Sequence, residues 1–142
     1  MTHPKLDNLV TSQLLKREVA VAAEFAGLVR SGLARLVDAK RTENSFDSRF
    51  DLAYNAGHAL ALAALRWHGY RPDNKRYIVF QVLELTVELP PAQWRVLAAA
   101  HDKRNKSEYE GTIDVEPSLL EALVRVVDEL ALRVQGLAPL AG

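Results

Sequence analysis

Apolar residues recur at intervals of three and four along almost the whole chain, which is the period of an amphipathic helix. The first such stripe predicts a long helix over about residues 12–40, and it contains Val19, Ala22, Ala26, Val29, Leu33 and Leu36. The polar segment 40–45 then predicts a loop. Asn44, Ser45 and Ser48 can each cap the helix that follows, because their side-chain oxygens accept hydrogen bonds from free N–H groups.

The second predicted helix runs to about His68 and carries two apolar stripes rather than one. The two stripes are Phe46, Phe50, Ala53, Gly57, Leu60, Ala64 and Trp67, and Leu52, Ala56, Ala59 and Ala63. Because two stripes imply contacts on more than one side, this Ala-rich helix is predicted to be the central one. Gly69 is expected to end it, and Pro72 prevents a helix from resuming at once.

Three more helices are predicted in the rest of the chain. The third covers about residues 74–87 and ends at the prolines of positions 90–91. The fourth begins at the second of these prolines, continues through a polar run from His101 to Tyr109, and stops at Gly111. The fifth begins at Pro117, and its stripe contains Leu120, Leu123, Val127, Leu130, Val134 and Leu137.

The five segments predict an all-α fold of the five-helix, up-and-down bundle type. We expect one domain over residues 1–142, with its core at about residues 10–137. Residues 77–80 have some strand propensity, but they lie inside a better helical pattern, so no strand is predicted.

Composition narrows the range of functions. The 18 basic residues balance the 18 acidic residues, which argues against a protein that coats nucleic acid. The chain has no cysteine, which excludes disulfides, thiolate catalysis and cysteine-based zinc sites. No histidine pair has the spacing of metal ligands on a helix, so no metal and no cofactor is predicted. The start of the chain lacks an apolar signal core, and no apolar run reaches about 18 residues, so we expect a cytoplasmic protein with no membrane segment.

The polar run His101–Tyr109 is the main candidate site. On a helical wheel His101 and Asn105 fall on the face that Leu97 defines, and a buried polar group without a partner costs about 1–3 kcal/mol. One interpretation is that these residues only tie the helix end to its neighbours. The other is a polar pocket in which Arg104 binds an anion, with Asn105 and Tyr109 as further hydrogen-bonding groups.

Other polar residues allow similar alternatives. The basic residues Arg95, Lys103, Arg104 and Lys106 form either a solvated face, offset by nearby acids, or a weak RNA-facing patch. A groove beside the loop after the central helix is a further possibility, with Tyr54, Arg71, Arg76 and Tyr77 as its lining. Asp47 and Asp51 are expected to face water. Among the histidines, His58 is predicted to be a core residue with one hydrogen bond, His68 to bind carbonyls at a helix end, and His3 to lie in a mobile tail.

The order of these segments resembles a HEPN domain, the higher eukaryote and prokaryote nucleotide-binding helical bundle. The resemblance rests on the Ala-rich helix 50–65 closing on Trp67-His-Gly69, on the helix that follows a short polar loop, and on Arg104-Asn-Lys-Ser-Glu-Tyr109. It covers about residues 10–136. Many members of this family are metal-independent endoribonucleases, so the resemblance implies a helical bundle that acts on or binds nucleotides.

The ribonuclease signature of that family is an arginine followed by a polar residue, with a histidine that four to six residues separate from the arginine. Arg104 and Asn105 match the first two, but the histidine positions hold Tyr109, Glu110 and Gly111. A tyrosine with a pKa of about 10 is a poor base at neutral pH. His101, three residues before Arg104, is the nearest substitute. Catalytic residues are therefore unassigned, and the candidates in an active protein are Arg104, His101 and Tyr109.

Three hypotheses follow from these residues. The first is a non-catalytic HEPN-like module that binds a nucleotide, RNA or a protein partner through His101, Lys103, Arg104, Asn105 and Tyr109. The second is an endoribonuclease toxin of a toxin–antitoxin pair. The third is a structural helical adaptor, which an internal ion pair of Arg104 would favour. The resemblance also implies a homodimer, with the arginine motif near the two-fold axis, and a nucleotidyltransferase partner.

Overall fold

The computed structural model describes residues 3–111 and 115–140, with side chains described for all of these except residues 108–110. Helices dominate this part of the chain, which confirms the all-α class. Its elements are α1 (Pro4–Thr11), β1 (Leu15–Arg17), α2 (Ala22–Ala39), α3 (Phe46–Trp67), β2 (Tyr70–Pro72), α4 (Ile78–Gln81), α5 (Leu83–Thr86), α6 (Pro91–Glu110) and α7 (Pro117–Gln135). Four of the helices are long and three are short, so the count of five predicted from the apolar stripes was wrong for the described residues.

Helix α3 is the central helix, as its two stripes predict, and it contacts α2, α4, α5, α6 and α7. Its start is fixed by Ser45, whose hydroxyl oxygen accepts a hydrogen bond from the Ser48 N–H at 3.2 Å. Beyond its end Gly69 has φ of +88°, a left-handed conformation in which a side chain would be strained. Both ends of this helix were therefore predicted correctly.

Small residues let the neighbouring helices approach α3 closely. A Cβ atom added at Gly57 would lie 2.8 Å from Leu97 Cδ2 on α6 and 3.2 Å from Val127 Cγ2 on α7. On α2, a Cβ atom added at Gly32 would lie 2.7 Å from Leu60 Cγ. Glycine at these two positions therefore sets how closely α2, α6 and α7 pack against α3.

The predicted helix over residues 12–40 is wrong in its first third, because Arg66 on α3 holds that segment extended. Arg66 is only 3% exposed, so its guanidinium needs acceptors inside the protein. It donates to the backbone oxygens of Glu18 at 2.8 Å and Val19 at 2.7 Å, and to Glu24 Oε1 at 2.6 Å. The residues that carry these carbonyls are not helical, and α2 begins only at Ala22.

Just before this extended segment, β1 and β2 form a two-stranded antiparallel sheet that was not predicted. Leu15 pairs with Pro72 and Arg17 with Tyr70. Each strand has only three residues, which is too short for a period-two pattern to be visible in the sequence.

The predicted third helix, over residues 74–87, is two single-turn helices, α4 and α5, with a break at Val82 (φ −96°, ψ 3°). Five of the six residues from Ile78 to Leu83 are buried. A straight helix on a protein surface buries residues three and four apart, not consecutive ones. The break therefore allows the segment to bury both of its sides. Among the described residues, no helix is long and apolar enough to cross a membrane.

We predict that Gly32→Ala destabilises the protein even though alanine is the better helix former. The new Cβ would contact Leu60 Cγ at 2.7 Å and the Ala56 carbonyl oxygen at 3.3 Å, and the backbone atom cannot move aside easily. Overpacking costs about 1–3 kcal/mol, against about 1 kcal/mol gained in helix propensity. Urea unfolding should show a net loss of about 1 kcal/mol.

Gly27→Ala is the matched control, because it lies on the same helix and its added Cβ would meet only Arg30 Nη2, at 3.8 Å. This variant should gain about 0.5–1 kcal/mol in the free energy of unfolding. Equal changes in the two variants would contradict the close packing of α2 on α3.

Candidate functional site

The polar run occupies the last turns of α6, and the structure divides its residues between the interior and the surface. His101, Lys103 and Arg104 are half-buried, and Asn105 is exposed. Tyr109 was predicted to be a binding or catalytic residue, but its side chain lies outside the described residues. We call the surface formed by His101, Lys103, Arg104 and Asn105 the His101 face.

His101 packs into an aromatic cluster that three elements build, and the cluster consists of Tyr54 on α3, Tyr77 and Phe80 at α4, and His101 itself. Ring centroids lie 4.6 Å from His101 for Tyr77, 6.0 Å for Tyr54 and 6.2 Å for Phe80. The inward position that the helical wheel predicts for His101 is therefore confirmed, whereas the same prediction for Asn105 was wrong, because its side chain is exposed. The ring of His101 joins α6 to both α3 and α4.

Both ring nitrogens of His101 have hydrogen-bond partners. The Tyr54 hydroxyl lies 2.8 Å from Nδ1, and the Asn105 side-chain nitrogen lies 3.0 Å from Nε2. With the Asn105 amide as donor, Nε2 is the acceptor, so the ring proton is on Nδ1 and is donated to the Tyr54 oxygen. In this tautomer the imidazole is neutral, and Asn105 fixes its orientation.

Arg104 lies at the solvent edge of the cluster. Its guanidinium carbon is 5.1 Å from the centre of the Tyr54 ring, within the range of a cation–π contact. Its Nε donates to Asp51 Oδ1 at 3.2 Å, so Asp51, although 53% exposed, is paired rather than simply solvated. Exposed ion pairs are worth about 0.2–1 kcal/mol. The pair therefore orients Arg104 but contributes little to the stability of the fold.

Beneath this surface, His58 is a buried histidine with one hydrogen bond, as predicted. Its Nδ1 accepts from Arg76 Nη2 at 3.4 Å, and its Nε2 has no partner among the described residues. Burial, with smaller contributions from the positive charges of Arg76 and Arg104, lowers the pKa of His58 from 6.5 to about 4. His58 is therefore neutral at physiological pH.

The groove predicted from Tyr54, Arg71, Arg76 and Tyr77 is only partly present. Tyr54 and Tyr77 meet at the aromatic cluster, and Arg76 reaches His58 beside it. Arg71 instead lies on β2 and pairs with Glu18 at 2.8 Å, away from these residues. Burial raises the pKa of Tyr77, and the negative charge of Asp102 adds to this effect, so Tyr77 stays a neutral hydrogen-bond donor.

Each of the two remaining histidines makes a hydrogen bond with a backbone group at a helix end. His68 Nε2 lies 2.8 Å from the carbonyl oxygen of Thr86, which links the end of α3 to α5, so the prediction that His68 binds a carbonyl is confirmed. His3 was expected in a mobile tail, and this was wrong. Its Nδ1 accepts a hydrogen bond from the Leu6 N–H at 3.4 Å and caps α1.

A concave region that the sequence did not suggest lies on another part of the surface. It has a volume of about 620 Å³ and is lined by residues that include Val19, Trp67, Tyr70 and Leu140, and none of the polar run. Trp67 Nε1 donates to the carbonyl oxygen of Ala138 at 2.8 Å, which places the end of the chain beside this region. No group of three or more potential metal ligands occurs within the described residues.

The arrangement at the His101 face suits hydrogen bonding to an anionic, partly aromatic ligand. Arg104 offers a guanidinium, Asn105 an amide, and the cluster offers ring surfaces. The sequence indicated His101, Arg104 and Asn105 on α6. It did not indicate Phe80 or the link between His58 and Arg76. The His58–Arg76 link joins residues 18 positions apart, and Phe80 lies in the single-turn helix α4, so no apolar stripe indicates either.

We predict that His58 makes the protein less stable as the pH falls. Because its pKa is about 4 in the folded protein and 6.5 in the unfolded chain, the unfolded chain binds more protons between these values. The free energy of unfolding should therefore fall from pH 6.5 to pH 4, with His58 contributing at most about 3 kcal/mol of the loss. Urea unfolding at several pH values measures this loss.

His58→Leu is the control, because leucine does not titrate. Its free energy of unfolding should fall less steeply between pH 6.5 and pH 4.5 than that of the wild type. Parallel pH curves for the two proteins would show that His58 is not held neutral by its surroundings.

Comparison of the chain with protein-family models, with curated proteins and with solved structures finds no match. No relative therefore assigns an activity or a ligand to the His101 face. The function is inferred from the geometry of this face and from the resemblance carried by its residues.

Proposed function

We propose that this chain is a non-catalytic, HEPN-like helical module that binds a nucleotide, either free or within RNA, through the His101 face. The observation that carries the proposal is the position of His101. Its neutral ring is packed in the aromatic cluster, while Arg104 and Asn105 stand at the solvent edge of the same cluster. Polar, cationic and aromatic groups thus converge on one half-buried face.

A nucleotide fits these groups better than a simple anion does. A guanidinium donates two parallel hydrogen bonds to a phosphate, which an ammonium group cannot do. Aromatic side chains bind bases by stacking, and the ring of Tyr77 is half-buried, so part of it is open to solvent. Asn105 adds an amide that can bind base edges. The zero net charge of the chain suits a local site rather than coating of a long nucleic acid.

The geometry of His101 favours binding over catalysis. A general base needs an acceptor nitrogen within about 2.6–3.2 Å of the proton it removes. Both nitrogens of His101 already have partners, Tyr54 at 2.8 Å and Asn105 at 3.0 Å. The sequence also lacks the histidine that the ribonuclease signature places after Arg104.

A structural adaptor is the second candidate, and the Arg104–Asp51 ion pair favours it because this pair ties α6 to α3. The side chains are 33% and 53% exposed, so water screens the pair. The small energy of such a pair is the reason that binding ranks first. From the resemblance we also propose a homodimer and, as a partner protein, a nucleotidyltransferase.

Arg104→Ala should weaken the binding of a fluorescein-labelled, single-stranded 20-nucleotide RNA by about tenfold, because one charge-assisted contact is lost. The free energy of unfolding should change by less than about 1 kcal/mol, because the ion pair lost is exposed. Fluorescence anisotropy and urea unfolding give the two quantities. Arg95→Ala is the control, because Arg95 is exposed on the same helix and lies beside Trp94 instead of the aromatic cluster.

Two results would each overturn the binding proposal. An Arg104→Ala variant that loses stability but no RNA affinity would indicate the adaptor. Cleavage of the RNA in EDTA by the wild type, but not by Arg104→Ala, would indicate a ribonuclease.

A further inference from the structure

Arg76 is an unusual arginine for its position. It lies in the turn before α4 and is exposed, yet its guanidinium reaches back to His58 Nδ1, 3.4 Å away. Among the described residues, no carboxylate lies within ion-pair distance of it. Its charge is therefore held in place by a neutral partner and is not offset by an acid.

His58 is suited to hold this arginine. It is 9% exposed and packs against the Phe80 ring, with centroids 5.9 Å apart, so its position is fixed by the core. Because Nδ1 accepts from Arg76, the ring proton is on Nε2 and the imidazole is neutral. A neutral imidazole attracts a guanidinium, whereas a protonated one would repel it.

Arg76 is also next to the proposed ligand site. The following residue, Tyr77, packs on the His101 ring with centroids 4.6 Å apart. Arg76 and Arg104 both lie close enough to His58 for their charges to lower its pKa. Two guanidinium groups from different elements, the turn before α4 and α6, therefore flank one aromatic cluster.

Two guanidinium groups at one cluster can together offset the negative charge of a phosphate. A phosphate carries up to two negative charges, and a single exposed arginine already paired with an acid offsets little of this. The ion pair with Asp51 weakens the field of Arg104, whereas the charge of Arg76 is fully available. The stronger phosphate contact is therefore expected from Arg76.

We infer that Arg76 is a second phosphate-binding residue of the His101 face and that His58 positions it. This inference rests on the proposed function, because it names the group of the nucleotide that the site recognises. The phosphate can belong to a free nucleotide or to an RNA backbone, and the two are tested separately.

The test with free nucleotide compares adenosine 5′-monophosphate with adenosine, by isothermal titration calorimetry on the full chain. The wild type should bind the phosphorylated form more tightly, and Arg76→Gln should lower this preference by about tenfold without changing the affinity for adenosine. Arg76→Lys should recover only part of it, because lysine lacks the planar fork. Arg30→Gln, at an exposed arginine of α2, is the matched control and should have no effect.

The test with RNA uses a single-stranded decamer at several salt concentrations. Removal of one phosphate contact should make the slope of log affinity against log salt shallower by about 0.7. Arg76→Gln should show this change and Arg30→Gln should not.

The positioning role of His58 is tested by comparing its variants with Arg76→Gln and with the double variant. His58→Leu should reduce the phosphate preference as much as Arg76→Gln does, and the double variant should lose nothing further. His58→Asn should restore part of the preference, because its amide oxygen can accept from Arg76. Circular dichroism verifies that each variant is folded, and Arg76→Gln tests the phosphate contact even if His58→Leu fails to fold.

The outcomes separate this inference from the proposed function. If the wild type binds neither the nucleotides nor RNA, the proposed function fails and this inference fails with it. If binding is lost in Arg104→Ala but Arg76→Gln changes neither the phosphate preference nor the salt slope, the proposed function stands and the inference is wrong. If Arg76→Gln acts but both His58 variants leave the preference unchanged, His58 does not position it.

Discussion

The close approach of α6 to α3 at Gly57 is the contact on which the candidate site depends. Leu97 of α6 packs where a side chain at position 57 would stand, since an added Cβ would be 2.8 Å from Leu97 Cδ2. Tyr54 lies about one turn before Gly57 on α3, and His101 lies about one turn after Leu97 on α6. The hydrogen bond of 2.8 Å between Tyr54 and His101 is therefore a consequence of that packing. A larger residue at position 57 would separate the helices and the two rings.

The site combines a neutral interior with a charged edge. Tyr54 and Asn105 satisfy His101, and the surroundings of His58 keep that residue uncharged, so the cluster beneath the surface carries no net charge. The cations Arg104 and Arg76 lie at its boundary, where water still solvates them. A neutral aromatic interior with cations at its edge is suited to hold a base and its phosphate, and both ring nitrogens of His101 are already hydrogen-bonded.

The sequence predicted those parts of the structure that depend on local patterns. Helix α3 has strong caps at both ends, and the wheel of α6 places His101 inward, so both were predicted correctly. Arg66 could not be recognised as buried, because its acceptors, Glu18 and Val19, precede it by more than 40 residues. The approach of Arg76 to His58 likewise depends on the turn before α4, which brings together residues 18 positions apart and has no periodic signal.

We propose that the ligand binds where α6 meets α3 and α4. Titration of the isotope-labelled full chain with single-stranded RNA, followed by two-dimensional NMR, tests this claim most directly. The largest shift changes should fall on the side chains of His101, Asn105 and Tyr77, with little change at the Trp67 indole N–H. Shift changes centred on Trp67 and Val19, or no changes at millimolar RNA, would contradict it.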